Sequence, residues 1–430
     1  MHYFSTNRKS PRVSFRDAVL NGQPDDKGLY FPSEIPKLSA KFIAGLSATS
    51  NEQIAFDVIR PYVAGEIPDE TLFEICAETV NFEFPLVPIT DRIRALELFH
   101  GPTLAFKDVG ARFMSRCLRH FSIENKEKTI VIVATSGDTG GAVAAGFHGV
   151  EDIEVVILYP KRKVSKVQEL QLTTLGGNVT TLELHGNFDD CQALAKQALA
   201  DPDLRSKVHL TSANSINIAR WLPQQFYYFY ALKQWSGDPP VISVPSGNFG
   251  NLAAGLLAQM SGLPAARFIA ACNANDVVPR FLQTAEYEPK PSIATLSNAM
   301  DVGEPSNFVR ILEIFDNGLV DLKEKIEAVS ISDKTTAATM REVYKKHGYI
   351  LDPHGAVGYR ALADHMEKHT DQRGIFLETA HPVKFDSVNA IIGAQGEMPT
   401  SVKELFSKEK MSIEIGNNYE EVKEILLSKI

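Results

Sequence analysis

Apolar residues follow two rhythms along this chain. From about residue 129 onward, short runs rich in β-branched residues recur: "TIVIVATS", "EVVILYP", "NVTTLEL", "KVHLTS", "PVISVPS", "RFIAACN", "AVSIS" and "GIFLETA". Most are separated by stretches with helical periodicity, such as "KVQELQLTTLG", "FDDCQALAKQALA" and "NLAAGLLAQMSG". Strands alternating with helices predict right-handed crossovers and mostly parallel sheets covered on both faces, an α/β architecture. Such sheets take ligands beyond the carboxyl ends of their strands. The informative residues should therefore sit just after the strand runs.

The flanks are less regular. In the first ninety or so residues, "NGQPDDKGLYFP" reads as turns and "DETLFEICAETV" as an amphipathic helix. "FEFPLVPI" reads as a linker, because Pro85 and Pro88 interrupt regular structure. The last thirty residues, with "KELFSKEK" and "NNYEEVKEILLSKI", read as solvated helices.

Length and charge narrow the choice. A chain of 430 residues exceeds what one core usually serves, so more than one domain is expected. A formal charge of −9 argues against the basic footprint of a nucleic-acid-binding protein. No apolar run approaches the ~20 residues of a membrane span. The opening "MHYFSTNRKSPRVSF" lacks the apolar core of a secretory signal. Arg8, Lys9, Arg12 and Arg16 are followed closely by Asp17, Asp25 and Asp26, unlike a transit peptide, so a cytoplasmic protein is expected. Cys76, Cys117, Cys191 and Cys272 are widely spaced without a C-x-x-C, which suits reduced thiols.

Two glycine-rich turns follow strand runs. The first is Thr135-Ser136-Gly137-Asp138-Thr139-Gly140, and the second is Ser246-Gly247-Asn248-Phe249-Gly250-Asn251; each leads into a helix. Glycine lets the backbone approach a ligand, and the free N–H groups of a helix start favour an anion. Neither turn is a G-x-G-x-x-G or a P-loop. Each alone is equally a capped turn; two at strand ends point to two anion sites, one for a cofactor phosphate and one for a substrate. "TSANSINIARWLPQQ" adds Asn214 and Arg220, with Arg220 either an anion clamp or a surface residue of a capped helix. Thr379, at the end of "FLET", could present a hydroxyl to a ring nitrogen or satisfy a backbone group. In "LDPHGAVGYR", Asp352 reads as a helix cap beside His354. His365 and His369 lack the glutamate placement of H-E-x-x-H and read as a solvated face, with no metal expected. Lys107 stands out in "FHGPTLAFKDVGAR", a lysine among small and apolar residues followed at once by Asp108.

Together these motifs resemble the threonine synthases, in the branch with a long N-terminal extension. They resemble in turn the fold-type II pyridoxal-phosphate enzymes, the group of tryptophan synthase β. The resemblance rests on "SFRDAVLNGQPDDKGLYFP", "ELFHGPTLAFKDVGARF", "ATSGDTGGAV", "LGGNV", "SANSINIAR", "VPSGNFGN", "SNAMDVGEPSN" and "ETAHPVKF" in that order. It implies two doubly wound, mostly parallel sheet domains plus an N-terminal domain. The expected parts are residues 1–90, a catalytic region 91–430 and, at its end, C-terminal helices 401–430. Within that region, a small part near 110–225 and a large part from 226–400 plus 91–109 are expected.

The resemblance also implies roles. Lys107 would form the Schiff base with pyridoxal 5'-phosphate and then serve as general base. Ser246, Gly247, Asn248, Phe249, Gly250 and Asn251 would hold the cofactor phosphate, and Thr379 the pyridine nitrogen. Thr135, Ser136, Thr139, Asn214 and Arg220 would bind the substrate, O-phospho-L-homoserine, in a γ-elimination and β-addition giving L-threonine. A phospho-lyase releasing 2-oxobutyrate would share these motifs. The chain would act as a monomer or homodimer. Asp138 stands where many relatives of this fold type carry Asn near the cofactor's phenolic oxygen. Two anionic oxygens repel, so Asp138 should point elsewhere or have a cation nearby.

Overall fold

The computed structural model describes residues 1–125, 128–394 and 396–430. Strands β1 (Tyr3–Ser5) and β2 (Tyr30–Pro32) form a small antiparallel ribbon. The chain then lays down β3 (Leu86–Pro88) and β4 (Ile93–Glu97). It moves away to build β5 (Thr129–Ala134), β6 (Ile153–Pro160), β7 (Val179–Leu184) and β8 (His209–Ser212). It returns for β9 (Val241–Pro245), β10 (Arg267–Cys272), β11 (Ile326–Ser330) and β12 (Gly374–Glu378). A last strand, β13 (Ile413–Ile415), lies near the C-terminus.

Two sheets result. The larger has the order β11-β10-β9-β12-β4-β3 and the smaller β13-β7-β6-β5-β8. All pairings in them are parallel except β3 with β4. Every residue of β5, β9 and β12 is buried, as expected of parallel strands covered on both faces, which explains their mostly apolar content. The strand runs of the sequence and the helices Asp69–Thr79, Lys166–Thr173, Phe188–Ala200 and Gly250–Met260 are all present.

Three expectations need correction. "FEFPLVPI" is not a linker: Leu86–Pro88 is the antiparallel edge strand of the larger sheet, a place where proline is tolerated because one side makes no ladder bonds. The last thirty residues are not only solvated helices. β13 extends the smaller sheet beside β7, and helix Tyr419–Leu427 buries Val422 and Leu426 in the core under that sheet. His365 is not on a solvated face; it is buried, with Nδ1 against Glu327 (2.8 Å) and Nε2 against Gln372 (2.9 Å).

The N-terminal segment has no separate core. Tyr3, Phe15 and Tyr62 share one apolar cluster with Trp221 and Phe226. The larger sheet draws on residues 86–97, 241–330 and 374–378, and the smaller on 129–212 and 413–415. The expected division near residue 225 falls between two consecutive helical segments, Leu222–Gln225 and Phe226–Lys233. The four cysteines are buried free thiols.

Because Leu426 is fully buried under the smaller sheet, Leu426→Ala should destabilise the protein by about 2–5 kcal/mol. A lowered midpoint of urea unfolding, followed by circular dichroism, checks this; an unchanged midpoint would show that the C-terminal helix does not support the sheet.

Candidate active site

Lys107 opens the helix Lys107–Asn125, at the end of a loop that is clamped from several sides. The next residue, Asp108, folds its carboxylate back to accept from the Thr103 amide (2.9 Å) and the Thr103 hydroxyl. Burial pushes the Asp108 carboxyl up, while the Thr103 bonds pull it down; the balance is upward. The loop also lies along the end of β12. The Phe106 amide donates to the Thr379 carbonyl (2.9 Å), and the His381 amide to the Leu104 carbonyl (3.0 Å). The Tyr227 hydroxyl donates to the Phe106 carbonyl. Asp108 therefore orients the loop, and the loop delivers Lys107 to the carboxyl end of the larger sheet.

The first glycine turn follows β5. Thr135 is buried, and its hydroxyl oxygen accepts from the amides of Gly137 (3.0 Å) and Gly140 (2.8 Å). It shapes the turn from within. Ser136 and Thr139 are half-buried. Among the described residues their hydroxyls make no hydrogen bond, which leaves them to a ligand. Gly137 has φ of 142°, and a Cβ there would stand 2.6 Å from the Gln168 side chain, so only glycine fits. That close approach brings Gln168 Nε2 to Asp138 Oδ1 (3.0 Å).

The second turn follows β9 and divides its work between side chains and backbone. Ser246 Oγ donates to the Val244 carbonyl (2.7 Å), and Asn251 Nδ2 to the Pro245 carbonyl (2.8 Å). Asn248 donates to Ser215 Oγ (2.7 Å) and accepts from the Ser306 amide (2.6 Å). These side chains fix the turn. Phe249 caps the next helix in the left-handed region, with φ of 62°. A Cβ on Gly247 would come within 2.5 Å of Met300 Cα, so glycine is needed for the backbone to pass. The amides of residues 247–251 make no hydrogen bond among the described residues. They form a cradle at a helix start, suited to a phosphate.

Arg220 lies on the short helix Ile218–Trp221 and packs against Gly110, one turn past Lys107. It is buried, donates through Nη1 to the Ala213 carbonyl, and its Nε has no partner among the described residues. Burial pushes its guanidinium down to about 10. Buried donors left open in this way call for an anion. Asn214 ties β8 to β5, donating to the Ala134 carbonyl (3.0 Å). The Thr379 side chain is buried at the end of β12, and its hydroxyl makes no bond among the described residues.

Lys384 is the main residue that sequence reasoning passed over. It is fully buried, with Nζ 2.7 Å from Asp138 Oδ1 and 2.7 Å from the Thr103 carbonyl. Asp138 thus has its nearby cation, and Lys107 Nζ lies 3.8 Å from its other oxygen. Burial pushes the Asp138 carboxyl up, but Lys384 and then Lys107 hold it well below the usual carboxylate range. Burial lowers the Lys107 amine, Asp138 pulls it back up, and Lys384 and Arg220 lower it again. The signal for Lys384 was the one that exposed Lys107: a lysine between apolar residues, here Val383 and Phe385. Also passed over was the carboxyl pair behind Thr379. Glu378 Oε1 accepts from the Asp352 amide (2.7 Å), and burial beside the Asp352 charge pushes Glu378 well up. Asp352 caps its helix, as expected, and holds His354 Nδ1 at 2.6 Å.

The free amide cradle, the open hydroxyl of Thr379 and the lysine beside it fit the phosphate, ring and aldehyde of pyridoxal phosphate. Comparisons with known proteins agree. A family model described as "Pyridoxal-phosphate dependent enzyme" matches residues 92–377. Models described as "Threonine synthase N terminus" and "Threonine synthase, C-terminal" match 2–80 and 355–426. The threonine synthase of Serratia marcescens is 45% identical over 94% of this chain and 93% of its own length. The crystal structure of threonine synthase from Escherichia coli superposes with a TM-score of 0.93 at 42% identity, covering 100% of both chains. That of pyridoxal-phosphate-bound threonine synthase from Brucella melitensis gives 0.93 at 34% identity, covering 100% of this chain and 99% of its own. With its lysine loop, amide cradle and both terminal segments matched, this chain belongs to the threonine synthase family of pyridoxal-phosphate-dependent enzymes.

Proposed function

We propose that this chain converts O-phospho-L-homoserine and water into L-threonine and phosphate. The observation that carries the reading is the joining of two anion positions to one lysine loop. The amide cradle of residues 247–251 is tied through Asn248 to Ser215, in the loop that leads to Arg220. Arg220 in turn packs on the helix that Lys107 opens. One anion position suits the cofactor phosphate and the other the phosphate that leaves the substrate.

Pyridoxal phosphate, when bound, draws electrons away from the substrate carbons next to the amine. The amides of Gly247, Asn248, Phe249, Gly250 and Asn251 would hold its phosphate, and the Thr379 hydroxyl would meet its ring nitrogen. Lys107 is the residue for covalent attachment. Its free amine would take the proton off the substrate Cα and later return it. An amine does this only when neutral, and burial with two neighbouring cations favours that form. Ser136 and Thr139, with the amides of their helix start, suit the substrate carboxylate. Arg220 and Asn214 suit its phosphate, and Arg220 meets the charge that develops as the phosphate leaves. Thr135 supports this group by shaping the turn.

Product analysis tests the reading. With O-phospho-L-homoserine, phosphate and threonine should appear in equal amounts; phosphate with 2-oxobutyrate in place of threonine would identify a phospho-lyase instead. Lys107→Ala should lose the visible absorption band of the cofactor-loaded protein and at least about a thousandfold in turnover. Arg220→Lys keeps a positive charge but loses the planar fork, so KM for the phosphorylated substrate should rise about ten- to a hundredfold. Steady-state kinetics read this directly, and inhibition by inorganic phosphate should weaken in parallel.

A further inference from the structure

We propose that Lys384 is a positioning residue that sets the proton affinity of Lys107, acting through its charge and its grip on Asp138. Three segments meet at its ammonium. Lys384 itself comes from the turn Pro382–Lys384 that follows β12 of the larger sheet. Asp138 opens the helix that follows β5 of the smaller sheet. Thr103 belongs to the loop that carries Lys107, and its carbonyl also accepts from Gln171 Nε2 (2.9 Å). One buried ammonium therefore joins both sheets and the lysine loop.

Distances show which lysine holds the carboxylate. Asp138 Oδ1 accepts from Lys384 at 2.7 Å and from Gln168 at 3.0 Å, while Oδ2 faces Lys107 at 3.8 Å. At equal dielectric, the attraction of Asp138 for Lys384 exceeds that for Lys107 by about 1.4-fold, the ratio of the two distances. Asp138 is thus engaged first by a cation other than Lys107. Without Lys384, the nearest countercharge for a buried carboxylate would be Lys107, and the pair would keep Lys107 protonated. The charged groups acting on Lys107 are Asp138, Lys384, Arg220 and Asp352, two anions against two cations. Removing one cation tips that set towards the ammonium form.

This inference rests on the reading of Lys107 as the working amine, but its test needs no turnover. The full-length protein, before cofactor is added, is labelled with an amine-reactive reagent across a pH series, and Lys107 labelling is read by peptide mass spectrometry. In Lys384→Met the pH midpoint for Lys107 should rise by about 1–2 units. Lys384→Arg, which keeps the cation, should restore a midpoint close to that of the unaltered protein. A role confined to packing would move stability without this charge-dependent rise. An unchanged or lowered midpoint in Lys384→Met overturns the proposal. Should Lys384→Met fail to fold, Asp138→Asn is compared with Asp138→Asn/Lys384→Met; a higher midpoint in the double variant supports the proposal and equal midpoints overturn it. Failure of the functional reading would look different: Lys107→Ala would keep its turnover while the midpoint shift stood.

Discussion

The proposed role of Lys107 places one constraint on this crevice: a largely enclosed amine must not stay charged. A lone buried ammonium costs several kcal/mol even after relaxation, and a lone buried carboxylate beside it would lock the proton in place. The structure meets both problems with Asp138 and Lys384 at 2.7 Å, a pair close enough to satisfy itself. Lys107, at 3.8 Å, is then left as a neighbour of the pair and not its partner. The lysine loop supplies the Thr103 carbonyl to Lys384, the first glycine turn supplies Asp138 to both lysines, and the end of β12 holds the loop through Thr379 and Phe106.

The second glycine turn solves a different problem in a related way. Its polar side chains, Ser246, Asn248 and Asn251, are all spent on backbone or neighbouring side chains. That expense leaves a row of amides rigid and open. A cradle made of backbone groups carries no net charge, so it needs no countercharge when empty. The same logic explains Thr135, whose hydroxyl serves two amides of its own turn. In both turns the residue types that looked like ligand contacts divide into those that shape and those that remain free.

Much of this was legible in the sequence. The eight apolar runs stood out because most of the parallel strands are buried on both faces, which leaves no polar face to blur the pattern. Two edge strands, β3 and β13, were missed for the converse reason. Leu86–Pro88 carries two prolines at its flanks, and Ile413–Ile415 is three residues long among polar neighbours, so neither shows a period. The lysine loop and both glycine turns were visible as motifs. Lys384 and Glu378 were not singled out, because a buried charge is recognised by its partner. Their partners come from other elements: Asp138 opens the helix that follows β5 of the smaller sheet, and Asp352 caps the helix Pro353–Lys368, so each pair meets only in the folded chain. The division of labour within each turn was likewise beyond reach, since hydrogen-bond direction is a matter of coordinates.

The placement of β13 gives the smaller sheet an unusual history. Its strand β7 can pair with β6 on one side as soon as β7 itself is made, but its other edge waits for a strand that follows the whole of the larger sheet. Until then β7 presents an open row of amides and carbonyls, the kind of edge on which neighbouring chains template. During synthesis, therefore, the catalytic crevice can begin to assemble while the smaller sheet is still unsealed. The β7 edge stays open to faulty pairing until the larger sheet has emerged.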